Sequence, residues 1–185
     1  MKNILLGSIC CLFISCLYIT SASAEAPELS ASCTACHGEN GISSNPHWPN
    51  LAGQQVGYLV KEMKAFRDGT RVDAIMAAGL LQGFSDQQIE ELARYFSKLE
   101  KVTPTKAEDT SAGQHVRASC VSCHGMDGYT VSPLWANLAG QKEAYLKKQL
   151  MDYKTGQRQH PIMQVIANEL SDQQIADVAK YYSQN

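Results

Sequence analysis

The stretch Cys33-Thr34-Ala35-Cys36-His37 returns as Cys120-Val121-Ser122-Cys123-His124, displaced by 87 positions. On one helical turn, thiols at i and i+3 share a face, so each pair can add to the two vinyl groups of one porphyrin. The histidine that follows then lies beneath the ring, where it can bind the iron as proximal ligand. A Cys-x-x-Cys pair alone also serves zinc sites, thioredoxin-like redox pairs and disulfides. Two copies that both end in histidine favour covalent attachment of two haem c groups, through Cys33, Cys36, Cys120 and Cys123.

The remaining cysteines agree with this reading. Residues 1–24 have the pattern of a secretory signal: Lys2 gives the positive start, Ile4 to Ile19 are mostly apolar, and Ala22-Ser23-Ala24 is a small-x-small cleavage site before Glu25. Cys10, Cys11 and Cys16 would leave with the signal, and the four that stay all belong to the two motifs. Kept in place, the same run would be a membrane anchor barely long enough to span a bilayer, and Cys16 sits in an imperfect lipid-attachment box. Export suits the chemistry, because c-type haem is attached outside the cytoplasm.

Removing 24 of the 185 residues leaves 161, enough for one ordinary domain or two small ones. A small domain buries a limited core, and a porphyrin held in each would supply apolar contact. With 16 basic and 18 acidic residues the chain has a formal charge of −2 and no basic stripe, which excludes a nucleic-acid binder.

The repeat extends well beyond the cysteines. At the same offset Trp48 falls on Trp135, the run Asn50 to Gln54 (Asn-Leu-Ala-Gly-Gln) on Asn137 to Gln141, and Tyr58-Leu59 on Tyr145-Leu146. Gly69, Arg71 and Ile75-Met76 likewise match Gly156, Arg158 and Ile162-Met163; after one deletion, Ser85 to Ile89 matches Ser171 to Ile175. A period this long that occurs only twice is a duplicated domain and not a solenoid. The expected division is a signal at 1–24, a first domain at 25–101, a linker at 102–111 and a second domain at 112–185.

Each unit reads as helical. Val56, Leu59, Val60, Met63 and Phe66 have helical spacing, with Gly69 able to close the helix. The matching helix is expected from about Gln141 to Tyr153, stopped by Gly156. The last helix of each unit opens on a capping box, Ser85 with Gln88 and Ser171 with Gln174. Ile89, Leu92, Ala93 and Phe96 then share a face, as do Ile175, Val178, Ala179 and Tyr182. Nothing alternates at period two, so no sheet is expected.

The duplication also selects the sixth iron ligand. Of Met63, Met76, Met126, Met151 and Met163, only Met76 and Met163 occupy equivalent places, each 39 residues after its histidine. Both are expected in irregular segments before a capped helix. The axial pairs are then His37 with Met76 and His124 with Met163. Packing of the two methionines as core apolar residues is the competing reading. His47, His115 and His160 have no repeat partners and read as surface residues. Trp48 and Trp135 could hydrogen-bond a propionate or simply pack. Arg71 and Arg158 could neutralise propionates or sit at solvated helix ends. Tyr58 and Tyr145 read as helix-face core.

Cys-x-x-Cys-His-Gly, then Asn-Leu-Ala-Gly-Gln, then an Ile-Met segment and a Ser-Asp-Gln helix, all twice in an exported chain, resembles the cytochrome c4 family. The resemblance covers nearly the whole mature chain. It implies an all-α protein of two tandem class I cytochrome c domains, each wrapped around one covalently bound haem, in a head-to-head arrangement. It further implies a periplasmic electron carrier, not an enzyme, between quinol-oxidising cytochrome bc complexes and terminal oxidases of a respiratory chain. The same ligands carry over: Cys33, Cys36, His37 and Met76 for one haem, and Cys120, Cys123, His124 and Met163 for the other. Peripheral association with a membrane stays open.

Two positions depart from the family pattern. The residue 12 after the haem histidine is commonly proline, whose carbonyl accepts from the imidazole; Pro49 fits, but Ala136 replaces it in the second unit. The bond is expected to persist, since any residue offers a carbonyl. The short Glu25 to Ser32 segment, which contains Pro27, is expected to curtail the packing between first and last helices in the first domain.

With histidine and methionine both bound, each iron exchanges only an electron, at a potential above that of bis-histidine haems. Two other functional classes compete. A haem subunit of a larger dehydrogenase, such as flavocytochrome c sulfide dehydrogenase, would share this architecture. A dihaem peroxidase would need one iron without its sixth ligand.

Overall fold

The computed structural model describes residues 28–76, 79–105 and 109–185. The expected signal segment, the residues up to Pro27 and part of the expected linker lie outside the described residues. Among those described there is no strand, as the sequence predicts.

The first unit contains α1 (Ala31–His37), α2 (Val56–Arg67) and α3 (Asp86–Lys98). The second contains α4 (Ser111–Val116), α5 (Val121–His124), α6 (Glu143–Thr155), α7 (Pro161–Glu169) and α8 (Asp172–Gln184). Both expected capping boxes form: Ser85 accepts from the Gln88 N–H while the Gln88 side chain accepts from the Ser85 N–H, and Ser171 and Gln174 do the same. The helix starts are therefore set by residues within one turn of each other.

Ile89, Leu92, Ala93 and Phe96 on α3 are fully buried, and Leu92, Ala93 and Phe96 pack with Leu59 of α2; Val178, Ala179 and Tyr182 on α8 pack the same way with Leu146 of α6. Burial of each large apolar side chain contributes about 1.5–3 kcal/mol, so each repeat holds its own core. Gly156 at φ 77° ends α6 in the left-handed conformation.

The segment before α8 differs from expectation. Met163 lies in the first turn of α7, a regular helix, whereas Met76 lies in a turn. Pro161 at the first helical position is pre-set for α7, and His160 caps it. In the first unit Ala74 stands in place of Pro161, and Gly79 at φ 88° cannot continue a helix.

Gly113 lets α4 lie directly on α8, since a Cβ there would stand 2.1 Å from the Asp177 carbonyl oxygen. The position 87 residues earlier, on which the expected curtailed packing of the first unit turns, lies outside the described residues.

Candidate functional site

α1 and α5 end in the two motif histidines, and a glycine follows each. Gly38 and Gly125 take φ 82° and 83°, and a Cβ on either would come within 2.2 Å of a carbonyl oxygen, of Ile42 or of Tyr129. Only glycine lets the chain turn so sharply after the histidine. The following loop is tied back in the same way in both units. The Ser43 and Thr130 hydroxyls donate to the Cys36 and Cys123 carbonyls, and the Ser43 and Thr130 N–H groups donate to the Asn50 and Asn137 side chains.

The loop then presents a carbonyl to each imidazole. His37 Nδ1 lies 2.8 Å from the Pro49 carbonyl oxygen, and His124 Nδ1 lies 2.8 Å from that of Ala136. The bond thus survives replacement of proline, as expected. A carbonyl can only accept, so Nδ1 carries the proton and Nε2 keeps its lone pair. Burial pushes both imidazoles below their ordinary pKa against the opposing effect of these bonds, which favours the neutral form that binds a metal.

Cys33, Cys36, His37 and Met76 line a cavity of about 540 Å³, and Cys120, Cys123, His124 and Met163 line the same cavity. None of these four cysteines is tied up in a disulfide, so all four sulfurs can bond to a porphyrin. Before haem is attached, burial pushes the Cys33 and Cys120 thiols up. The cavity wall is mainly apolar, with Trp48, Leu59, Phe66, Leu81, Trp135 and Ile166 among its residues. Paired thiols, a neutral imidazole, a thioether and apolar walls fit a porphyrin in each half. Among the described residues no three His, Cys, Asp or Glu side chains converge for a bare metal ion.

Both methionine segments are held by the residue three positions earlier. Asp73 Oδ1 accepts from the Met76 N–H at 3.2 Å, and His160 Nδ1 accepts from the Met163 N–H at 3.4 Å. Asp73 is the residue that aligns with His160, so the two side chains take the same role in the two units, and half-buried His160 also lines the cavity. Met63 also lines the cavity but packs on the first core, and Met126 is 62% exposed.

Arg71 and Arg158 are buried, not solvated helix ends. Glu62 Oε2 stands 2.7 Å from Arg71 and 2.9 Å from Arg158. Gln149, the repeat partner of Glu62, accepts from the same two guanidinium groups at 2.6 and 2.8 Å. Arg71 donates to the Tyr145 hydroxyl of the other unit, and Arg158 to that of Tyr58. Burial would raise the Glu62 carboxyl, but the two guanidinium groups hold it below the usual range. The cluster has two cations and one carboxylate, and it faces the cavity. This cross-unit role of Tyr58 and Tyr145 escaped the sequence reading; the only signal was that both recur.

A second contact between the units is built from the repeated Asn-Leu-Ala-Gly-Gln segment. The Asn50 N–H donates to Gln141 Oε1 at 2.8 Å, and the Asn137 N–H donates to Gln54 Oε1 at 2.7 Å. Gln141 Nε2 donates to the Asn50 carbonyl and Gln54 Nε2 to that of Asn137. The Asn50 and Asn137 amides donate to the Gly140 and Gly53 carbonyls. The units thus meet through the same residues on both sides, an isologous contact within one chain.

The Cytochrome c family model matches residues 23–100 and again 111–184. Cytochrome c4 of Pseudomonas aeruginosa is 34% identical over 167 residues, covering 82% of this chain and 82% of that protein. The thiosulfate dehydrogenase electron acceptor of Thiomonas intermedia is 33% identical over 176 residues, covering 85% of this chain and 80% of its own length. The crystal structure of reduced recombinant cytochrome c4 from Pseudomonas stutzeri superposes with a TM-score of 0.77 at 30% identity, covering 84% of this chain and 94% of that one.

Proposed function

This chain belongs to the cytochrome c family, as a two-haem electron-transfer protein of the cytochrome c4 kind, and we propose that it is an exported carrier in a respiratory chain. In this reading residues 1–24 are removed on export to the periplasm, and domains 25–101 and 112–185, joined by 102–111, each hold one of the two haem c groups. Cys33 and Cys36 bind one covalently and Cys120 and Cys123 the other. His37 with Met76, and His124 with Met163, are the axial pairs. The donor is a quinol-oxidising cytochrome bc complex and the acceptor a terminal oxidase. Among the described residues no helix is long and apolar enough to cross a membrane.

The observation that carries this reading is the matched geometry around one cavity. Each histidine has Nδ1 tied to a backbone carbonyl, and each unit supplies a methionine whose N–H is capped from three residues earlier. Haem c, once bound, supplies a one-electron couple. The chain's residues orient both imidazoles, hold both thioethers against the same cavity, and surround it with apolar walls that disfavour the extra ferric charge. A site closed on both faces leaves no position for peroxide or oxygen.

The thiosulfate dehydrogenase electron acceptor among the relatives favours a second reading, in which the donor is a sulfur-oxidising dehydrogenase. A redox titration with spectra tests the first. Two low-spin steps, indifference to carbon monoxide and rapid reduction by a cytochrome bc complex support it. A high-spin haem that binds carbon monoxide refutes it in favour of peroxidase chemistry, and reduction by thiosulfate dehydrogenase but not by the bc complex moves the donor.

A further inference from the structure

The carbonyl that holds each haem histidine and the N–H that grips the other unit belong to one peptide group. The Pro49 carbonyl accepts from His37, and the N–H on the other side of that same peptide bond, that of Asn50, donates to Gln141 of the second unit. In the second unit the Ala136 carbonyl accepts from His124, and the Asn137 N–H donates to Gln54 of the first unit. All four bonds measure 2.7–2.8 Å. Asn50 and Gln141 are buried, so water does not substitute for either partner.

We propose that Gln141 and Gln54 are positioning residues that tune the iron of the opposite unit, each acting through one peptide group on His37 or His124. An acceptor on a peptide N–H polarises the group and makes its carbonyl a stronger acceptor. The stronger carbonyl draws the Nδ1 proton, the imidazole becomes the better donor at Nε2, and the ferric iron is stabilised. The two units therefore set each other's potential crosswise, and docking of the units is part of how each iron is tuned. This rests on His37 and His124 being the axial ligands.

The test uses the full holoprotein, with Gln141→Met and Gln54→Met, which fill similar volume without an acceptor. NMR-followed redox titration resolves the two haems. Gln141→Met is expected to shift the ferrous-to-ferric ratio of the His37 haem about threefold toward ferrous at fixed potential. That is a rise of about 30 mV at about 59 mV per tenfold for one electron. The His124 haem stays within a third of that shift. Gln54→Met gives the reverse assignment. The His37 Nδ1 proton resonance moves in the first variant and that of His124 in the second.

Gln55→Ala is the control. Gln55 Nε2 donates to the Thr130 carbonyl across the same contact without touching either peptide group, so its loss leaves both potentials in place. Should Gln141→Met fail to fold, Gln141→Glu keeps an oxygen for Asn50 and lowers the His37 haem more than the other. Equal shifts of both haems, a shift in the unit that carries the substitution, or a Gln55→Ala shift of the same size would overturn the proposal. A wild-type protein without two low-spin haems would instead overturn the ligand assignment beneath it.

Discussion

Replacing Glu62 with glutamine tests the buried charge cluster. The carboxylate side chain is 12% exposed and its partners Arg71 and Arg158 are 10% and 8% exposed, so surface-pair energies of about 0–1 kcal/mol do not apply. Removing one partner of a buried pair costs about 3–5 kcal/mol because the remaining charge loses its counter-ion. Glutamine keeps one neutral acceptor worth about 1 kcal/mol, which leaves an expected loss of about 2–4 kcal/mol. Denaturant unfolding of the holoprotein at pH 7 measures it. Because Gln149 bridges the same two guanidinium groups, the transposed double variant Glu62→Gln/Gln149→Glu restores the charge count and recovers most of the loss. The pH dependence has a fixed sign. The folded pKa lies below the ordinary 4.5, so the contribution is complete above about pH 4.5 and is lost as pH falls through the depressed value; wild type and Glu62→Gln converge in acid. A loss under about 0.5 kcal/mol at pH 7, or a double variant no better than the single, refutes the reasoning.

Met76→Ala and Met163→Ala each open one iron, so one haem binds carbon monoxide and its potential falls, while Met63→Ala and Met126→Ala leave both visible spectra unchanged; an unaltered Met163→Ala spectrum removes Met163 as ligand. Gly113→Ala forces α4 off the Asp177 carbonyl and costs about 1–3 kcal/mol in denaturant unfolding, more than Gly156→Ala, which meets open space and costs only about 1 kcal/mol for its positive φ.

The helices that carry the cores were legible because their signals are local. Ser85 and Gln88 cap within one turn, and Ile89 to Phe96 show the period directly. The Ala136 carbonyl bond was legible for a different reason, since every residue supplies a carbonyl. The expectation of an irregular segment before α8 misses α7, although His160 and Pro161 announce its start. The first unit has Ala74 where α7 has Pro161, so the two aligned segments need not share a conformation. The cross-unit partners of Arg71 and Arg158, Tyr145 and Tyr58, lie 74 and 100 positions away in the sequence. Long-range polar contacts leave no periodicity, so only the exact repetition of Asn, Gln, Tyr and Arg hinted that these side chains face a shared surface.

Two identical patches pressed face to face are what a homodimer presents, and here one polypeptide supplies both. A tether between partners replaces bulk concentration with a local one on the order of millimolar. Dilution in a large compartment therefore leaves the pair intact, and a polar clasp too weak to hold free subunits together is enough to keep two electron-carrying centres at a constant separation.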